Sequence, residues 1–257
     1  MRKAIIFGIS SDIGNGIAER LRKDSWTVVG TSTNPQKNGT VRLDLTKSDD
    51  IEALFANTSF LQDWSLLCFF SATMNPIGPF FSSDFLEWRK AFEINVFSQL
   101  QILHKIWDFR SSSSVPSVCF LAGGGTNSSF DNYSAYCLSK ITLIKFVELI
   151  ASENEDANFF IIGPGYMRTK IHNETLRAGE LAGKNYSRTI DFLQDEGTTM
   201  DRLYEHIRWC IESSRFSISG RNFSTVNDPW DTDTKLLDLL AADSNLFKLR
   251  RSNKFDT

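Results

Sequence analysis

Residues 3–21, KAIIFGISSDIGNGIAERL, decide the fold of this chain. The apolar run that follows Lys3 predicts a buried strand, and the residues after position 16 have helical spacing. Between these two elements, Gly8, Gly14 and Gly16 predict a tight turn whose backbone can approach a ligand closely. A helix that starts after such a turn offers free N–H groups to a phosphate. We therefore favour a dinucleotide site over a plain strand–helix turn.

Strands alternate with helices along the rest of the chain. Further apolar runs predict strands at residues 26–31, 41–45, 64–71, 117–122, 158–162 and 218–223. Helical patterns lie at residues 47–57, 84–109, 134–154, 199–214 and 236–240. This order predicts an α/β fold with a Rossmann-like, doubly wound parallel sheet of seven strands in three α/β/α layers. With no linker or internal repeat in the sequence, we expect a single domain over residues 1–257.

Composition and charge describe an ordinary globular chain. The 257 residues are 41% hydrophobic and 23% charged, and their net charge is −3, which favours neither nucleic acid nor an anionic membrane as a partner. No run approaches the roughly 18 apolar residues of a membrane span, and the N-terminal run is too short for a signal peptide. The four cysteines and three histidines are dispersed, so we expect no metal site and reduced thiols in a cytoplasmic protein.

A second motif lies on the predicted helix after residue 133. Tyr136 and Lys140 are four residues apart, so a helix places them on one face, one turn apart. A free phenol has a pKa of roughly 10, and a neighbouring ammonium lowers this pKa by favouring the tyrosinate. Such a pair could move a proton on or off an alcohol or carbonyl oxygen. A purely structural pair is the alternative, because any long helix can contain this spacing by chance.

Asn95 lies in the middle of the predicted helix over residues 84–109, among apolar neighbours. A buried amide needs hydrogen-bond partners. Asn95 could satisfy a neighbouring backbone group, or it could open the helix locally and hold a water molecule on a proton path. The sequence leaves both interpretations open.

The end of the second predicted strand bears on which dinucleotide binds. An acidic residue at this place would hold the 2′-hydroxyl of NAD. The chain has Thr31, Ser32 and Thr33 there, whose hydroxyl groups could bind a 2′-phosphate that no carboxylate repels. No Arg or Lys lies in this turn, and Lys37 is the nearest basic residue downstream. The sequence therefore favours NADP, with NAD possible.

A long polar segment, residues 166–198, follows the strand at 158–162. Its length and its place at the C-terminal end of a strand predict a lid or binding loop for a substrate. Its basic residues could meet an anionic substrate, although solvated surface charges are the simpler alternative. These basic residues include Arg168, Lys170, Arg177 and Lys184.

In order along the chain, these elements resemble a short-chain dehydrogenase/reductase over essentially the whole length. The motifs that carry the resemblance are Gly8…Gly14…Gly16, Asp44-Leu45, Asn95, Tyr136-x-x-x-Lys140 and Pro164-Gly165-x-x-x-Thr169. The resemblance implies a Rossmann domain, commonly in a homodimer or homotetramer built on the long helices. The residues expected to contact the dinucleotide are Gly8, Ser10, Ser11, Asp12, Ile13, Gly14, Thr31, Ser32, Thr33, Asp44, Leu45, Ala72, Tyr136, Lys140, Pro164, Gly165, Met167 and Thr169.

The resemblance also implies a role for each motif. Tyr136 would be the catalytic acid/base, and Lys140 would lower its pKa and bind the nicotinamide ribose. Asn95 would hold a relay water, Thr169 would contact the nicotinamide carboxamide, and Asp44–Leu45 would frame the adenine.

Three departures from the family's pattern matter. Asp12 replaces a glycine and puts a charge near the pyrophosphate unless it points away as a cap. The segment 70–73 replaces Asn-Asn-Ala-Gly and should alter packing rather than chemistry. The catalytic serine is missing, because residues 122–124 are Ala-Gly-Gly, and a lost donor of this kind costs roughly 3 kcal/mol of transition-state stabilisation. The residues expected near the substrate are Gly123, Thr126 and Ser128, and a hydroxyl of Thr126, Ser128 or Ser129, a backbone N–H or a substrate hydroxyl could replace the serine.

The leading hypothesis is an NADP-dependent oxidoreductase that interconverts a secondary alcohol and a ketone by hydride transfer, with Tyr136 handling the proton. Its small-molecule substrate could be a sugar or nucleotide-sugar, because the triple glycine and the C-terminal sequence are similar to members that act on such compounds. A dinucleotide-binding protein with little or no catalysis is an alternative, given the missing serine. An epimerase or dehydratase is a third possibility, although such relatives tend to be longer.

Overall fold

The computed structural model describes residues 2–35, 39–56 and 58–251. The strands are β1 (Lys3–Phe7), β2 (Thr27–Ser32), β3 (Thr40–Arg42), β4 (Leu66–Phe69), β5 (Ser117–Leu121), β6 (Asn158–Gly163) and β7 (Arg221–Ser224). The helices are α1 (Asp12–Lys23), α2 (Ser48–Ala56), α3 (Phe85–Phe92), α4 (Ser98–Ile106), α5 (Ser134–Glu153), α6 (His172–Ala178), α7 (Lys184–Gln194), α8 (Met200–Glu212), α9 (Arg215–Ile218) and α10 (Leu236–Ala242). Within the described ranges, the seven strands form one parallel sheet in the order β3-β2-β1-β4-β5-β6-β7, which confirms the predicted fold.

Side chains that alternate along the strands build a separate core on each face of the sheet. In β1, Ile6 packs with α1, α8 and α10 on one face, whereas Ile5 and Phe7 pack with α2, α4 and α5 on the other. This alternation follows from the two-residue period of a strand, and it gives the three α/β/α layers. On the second face, Phe7, Phe69 and Phe120 stack with ring centroids 4.9 and 4.8 Å apart, which joins the three central strands.

The predicted helix over residues 84–109 is interrupted rather than continuous. It begins as predicted, because Asp84 Oδ1 accepts a hydrogen bond from Leu86 N at 2.8 Å and caps α3. A π-helical turn at Glu93–Phe97 then separates α3 from α4, and Asn95 lies in this turn. Such turns widen a helix locally and occur often at functional sites.

Other stretches also differ from the prediction, and the strand predicted over 41–45 ends at Arg42. The 166–198 segment is not an irregular loop, because α6 and α7 occupy much of it. The predicted strand over 218–223 begins only at Arg221. Ile218 ends the short helix α9, and Gly220, with a φ of +82°, turns the chain into β7.

The carboxyl ends of the parallel strands lie at one edge of the sheet, where doubly wound folds bind their ligands.

The predicted helix over 47–57 is α2, and its last position, Asn57, lies outside the described residues. No helix in the described part of the chain combines the length and the apolar character that a membrane crossing requires.

Candidate active site

A cavity of about 1270 Å³ opens at the carboxyl ends of the central strands. The loops after the seven strands line it together with the 166–198 segment. Every residue predicted to contact a dinucleotide or a substrate lines this cavity except Gly14, which is buried. The predicted catalytic residues Tyr136 and Lys140 also line it, whereas Asn95 is fully buried and does not.

The glycine turn after β1 depends on close backbone packing. A Cβ atom at Gly14 would lie 2.2 Å from the Gly8 carbonyl oxygen, so no larger residue fits there. Ser11 caps α1, because its Oγ accepts a hydrogen bond from Gly14 N at 3.0 Å. Gly16 serves helix packing instead, since a Cβ atom at this position would lie 2.7 Å from Met200 of α8. The turn thereby brings the first turn of α1 to the cavity.

Asp12, the predicted departure in this turn, contacts the 166–198 segment. Its Oδ2 accepts a hydrogen bond from Lys170 N at 2.6 Å, and its Oδ1 lies 3.7 Å from Lys170 Nζ. Ser11 rather than Asp12 caps the helix. The ammonium of Lys170 therefore offsets the charge that Asp12 brings to the cavity.

The loops after β2 and β3 form the far end of the cavity. Ser32 Oγ donates a hydrogen bond to Ser10 Oγ at 2.8 Å, which joins the end of β2 to the glycine turn. Asp44 Oδ1 accepts hydrogen bonds from Thr46 Oγ1 (2.7 Å) and Thr46 N (3.0 Å). These hydrogen bonds hold the pKa of Asp44 below its ordinary value. Lys37 lies outside the described residues.

Tyr136 and Lys140 lie one turn apart on α5, as their spacing predicts. Tyr136 is 9% exposed and Lys140 is 3% exposed, and Lys140 Nζ lies 5.6 Å from the centroid of the Tyr136 ring. Lys140 Nζ donates a hydrogen bond to the Leu121 carbonyl oxygen at 2.8 Å. The pKa of Tyr136 differs from the prediction, because burial raises it instead of Lys140 lowering it. Burial also lowers the pKa of Lys140 to about 8. Burial disfavours the charged form of each group and accounts for both shifts.

The loop after β5 packs directly against Tyr136. A Cβ atom at Gly123 would lie 2.2 Å from Tyr136 Oη and 2.6 Å from its Cζ. At Gly125, a Cβ atom would lie 2.4 Å from Cys137 Sγ. The phenol thus occupies the space that a side chain at position 123 would need. Residues of the same loop that carry hydroxyl groups and line the cavity are Thr126, Ser128 and Ser129.

Both polar atoms of the Asn95 side chain form hydrogen bonds within the protein. Its Oδ1 accepts from Thr73 N at 2.9 Å, and its Nδ2 donates to Thr73 O at 2.9 Å and to Ser139 Oγ at 3.1 Å. Both interpretations of the sequence hold in part: the helix widens at Asn95, and the amide satisfies a neighbouring backbone. The role of Asn95 in holding a relay water stays a prediction.

The 166–198 segment contributes residues that the sequence did not single out. Of the four basic residues named there, only Lys170 lines the cavity, and Lys184 pairs with Asp131 at 2.7 Å. Cavity-lining residues that were missed include His172, Glu174, Asn185, Arg188 and Thr189. The polar composition of the segment was the one sequence signal for these residues, because no local motif surrounds them. Within the described ranges, no group of three or more His, Cys, Asp or Glu side chains could hold a metal ion.

The fold and the cavity define an α/β protein with a dinucleotide-type glycine turn beside a Tyr–Lys pair. Comparison with protein families agrees, because a family model described as "Enoyl-(Acyl carrier protein) reductase" matches residues 8–201, well over half of the chain. The chain belongs to the short-chain dehydrogenase/reductase family.

Among known proteins, the chain is similar to an uncharacterized oxidoreductase of Schizosaccharomyces pombe. The two are 28% identical over 102 residues, which cover 39% of this chain and 40% of the yeast protein. The match thus spans less than half of that relative.

Solved structures show the same fold at low sequence identity. The KRED1-Pglu enzyme superimposes with a TM-score of 0.75 at 18% identity, covering 86% of this chain and all of that one (100%). A short-chain dehydrogenase of Shigella flexneri complexed with NADP gives a TM-score of 0.71 at 17% identity, with 87% and 96% of the two chains covered. At these identities the likeness shows the fold alone.

Proposed function

We propose that this chain is an NADP-dependent oxidoreductase that interconverts a secondary alcohol and a ketone. The observation that carries the proposal is that the Tyr136–Lys140 pair and the first turn of α1 line the same cavity. A dinucleotide enzyme needs this combination, because the phosphates bind at a helix start while the acid/base group works at the nicotinamide end.

Tyr136 would exchange a proton with the reacting oxygen. In the direction of reduction, the neutral phenol donates its proton to the carbonyl oxygen, and the ammonium of Lys140 stabilises the tyrosinate left behind. NADP, when bound, supplies or accepts the hydride. The reacting oxygen would accept a second hydrogen bond from another donor. The candidates are the hydroxyl groups of Thr126, Ser128 and Ser129, a backbone N–H and a substrate hydroxyl.

The residues of the cavity fit a dinucleotide. Ser11, Asp12 and Ile13 line the cavity at the start of α1, where backbone N–H groups would meet a phosphate, and Lys170 offsets the charge of Asp12. The loops after β2 and β3 offer Ser32 and Asp44 toward the adenosine. We retain all the predicted dinucleotide contacts as proposals, including Met167 and Thr169 in the loop after β6.

The preference for NADP rests on the hydroxyl groups of Thr31, Ser32 and Thr33 and on the absence of a carboxylate among them. The complex of the Shigella relative with NADP agrees with it. A thermal-shift titration tests the preference, because a ligand that binds only the folded protein stabilises it by mass action. NADP(H) should raise the melting temperature more than NAD(H) at equal concentration. A larger rise with NAD(H) would contradict the preference, and no rise with either would contradict the dinucleotide site.

Turnover is tested by mixing the protein with NADPH and a panel of ketones and oxidised sugars. The loss of NADPH absorbance measures the rate of reduction. The proposal predicts reduction of at least one compound. Dinucleotide binding without turnover of any compound in either direction would instead favour the alternative of a binding protein with little catalysis.

A hydroxylated substrate such as a sugar or nucleotide-sugar suits the polar side chains that line the cavity together with Tyr136. Thr126 and Ser128 line the cavity from the loop after β5, and Arg188 and Thr189 line it from α7. We propose that the 166–198 segment acts as the substrate lid. Arg188 takes the place of the basic residues named from the sequence, because Lys184 is held by Asp131 and Lys170 by Asp12.

We also propose a homodimer or homotetramer built on the long helices. The support is the exposure of large apolar side chains there: Phe97 is 58% exposed, Leu138 46% and Leu149 50%. Light scattering after size exclusion should give two or four times the 29.2 kDa of the chain, and a monomer would contradict the proposal.

A further inference from the structure

A carboxylate in the 166–198 segment holds the loop after β4. Glu174 of α6 accepts three hydrogen bonds through its Oε2: from Thr73 Oγ1 (3.0 Å), Met74 N (2.6 Å) and Asn75 N (3.1 Å). Hydrogen bonds to an ionised acceptor are roughly twice as strong as neutral ones. The docking of α6 on residues 73–75 therefore depends strongly on one side chain.

The hydrogen bonds continue from this loop to the helix that carries Tyr136. Asn95 binds both the N–H and the carbonyl oxygen of Thr73, each at 2.9 Å. Asn95 Nδ2 also donates to Ser139 Oγ at 3.1 Å, and Ser139 Oγ donates to the Tyr136 carbonyl oxygen at 2.6 Å. Buried polar networks that are fully satisfied select one arrangement of the groups they join. The position of Tyr136 is thus linked to the seating of α6.

A second contact joins the same two helices. Tyr133 Oη and Thr175 Oγ1 form a hydrogen bond of 2.8 Å, and both side chains are buried. Tyr133 lies one turn before Tyr136, and Thr175 follows Glu174 directly. Helix α6 is therefore attached to the start of α5 directly through Thr175 and indirectly through Glu174.

We propose that Glu174 is a positioning residue that seats α6 on residues 73–75 and, through Thr73 and Asn95, holds the first turn of α5 so that Tyr136 faces the substrate. This inference rests on the proposed function of Tyr136. It adds that closure of the 166–198 segment and alignment of the phenol occur together, so the acid/base group is complete only when the segment is seated.

The charge of Glu174 gives a readout that a merely structural role would not move. The titratable groups that act on the phenol are Lys140 and Cys137 of α5 and Glu174 of α6. The carboxylate of Glu174 opposes the tyrosinate and adds to the effect of burial on the pKa of Tyr136. Removing this charge favours the tyrosinate, so the pH at which Tyr136 loses its proton should fall.

The experiment compares three variants of the full chain: Glu174→Ala, Glu174→Gln and, as a matched control, Glu180→Ala. Glu180 lies in the same segment, is exposed, and its carboxylate has no hydrogen bond or ion pair within the described residues. Glu174→Ala should lower kcat by about tenfold or more, because catalytic groups tolerate little misplacement, while the Kd for NADPH stays unchanged. Glu174→Gln can accept the same hydrogen bonds, so it should keep more of kcat while its pH profile moves to lower pH. Glu180→Ala should match the wild type in both.

Equal kcat values and equal pH midpoints in all three variants and the wild type would overturn the inference. Amide hydrogen exchange separates this failure from a failure of the proposed function. In Glu174→Ala, faster exchange at Met74 and Asn75 and along residues 134–140 supports the link without any turnover. A wild type that turns over no substrate would refute the proposed function, and unchanged exchange along residues 134–140 would then refute the link as well.

Discussion

A serine placed at position 123 should damage this protein instead of improving it. A Cβ atom at Gly123 would lie 2.2 Å from Tyr136 Oη, whereas ordinary contacts begin at 3.4 Å, so the phenol or the loop must move by about 1 Å. Tyr136 is 9% exposed and cannot swing into solvent freely. Overpacking of this kind costs about 1–3 kcal/mol of stability. A displacement of about 1 Å at a catalytic group costs about 100-fold in rate.

The assay compares Gly123→Ser with Gly124→Ser, a matched control. A Cβ atom at Gly124 would lie 3.8 Å from the Phe130 ring, which is an ordinary contact. We expect Gly123→Ser to lose about 100-fold in kcat and about 1–3 kcal/mol in urea unfolding while it still binds NADPH. Gly124→Ser should keep its stability and most of its turnover. A Gly123→Ser protein with wild-type stability and higher turnover would refute this account. It would show that the Tyr136 phenol can move aside without a loss of stability or activity.

Three further predictions concern charged side chains. The pKa of Lys140 falls from 10.5 to about 8 on folding, so the unfolded chain binds more protons than the folded protein between these two pH values. The cofactor-free protein should therefore gain up to about 3 kcal/mol of stability as the pH rises from 8 to 10.5. Chemical denaturation across this pH range should show a smaller gain for Lys140→Met. Asp12→Ala removes the hydrogen bond that Lys170 N donates to the Asp12 carboxylate, which is worth about 2 kcal/mol. Trypsin should therefore cut the 166–198 segment more than tenfold faster in this variant. An unchanged cleavage rate would contradict the contact. Arg221 is 3% exposed and donates hydrogen bonds to the carbonyl oxygens of Leu240, Asp243 and Leu246. Arg221→Met should therefore lower the free energy of unfolding in urea by about 3 kcal/mol. Arg42 forms an exposed ion pair with Asp50, so Arg42→Met should lower it by less than about 1 kcal/mol.

The architecture and most of the cavity lining could be predicted from the sequence because their signals are local. The strand, glycine turn and helix of residues 3–21 are contiguous, and the spacing of Tyr136 and Lys140 fixes their relative position on any helix. The carboxyl ends of parallel strands meet at one edge of the sheet, so loops far apart in the sequence could be assigned to one cavity. These rules hold without knowledge of side-chain packing.

The features that were missed depend on contacts between distant parts of the chain. Glu174 binds Thr73 across 101 positions, and no pattern around either residue marks the pair. The direction of the pKa shift of Tyr136 was wrong because spacing reports the neighbouring charge but not the burial of both groups. The close approach of Gly123 to the phenol was likewise hidden, since the sequence shows a glycine at this position but not the side chain that packs against it.

The most direct test of the account is the activity and NADPH affinity of Tyr136→Phe. This change removes one hydroxyl group and keeps the ring, so the packing against Gly123 and the fold should survive. The account predicts an unchanged Kd for NADPH together with a loss of turnover of about 100-fold or more. Turnover equal to that of the wild type would contradict the assignment of Tyr136 as the group that handles the proton.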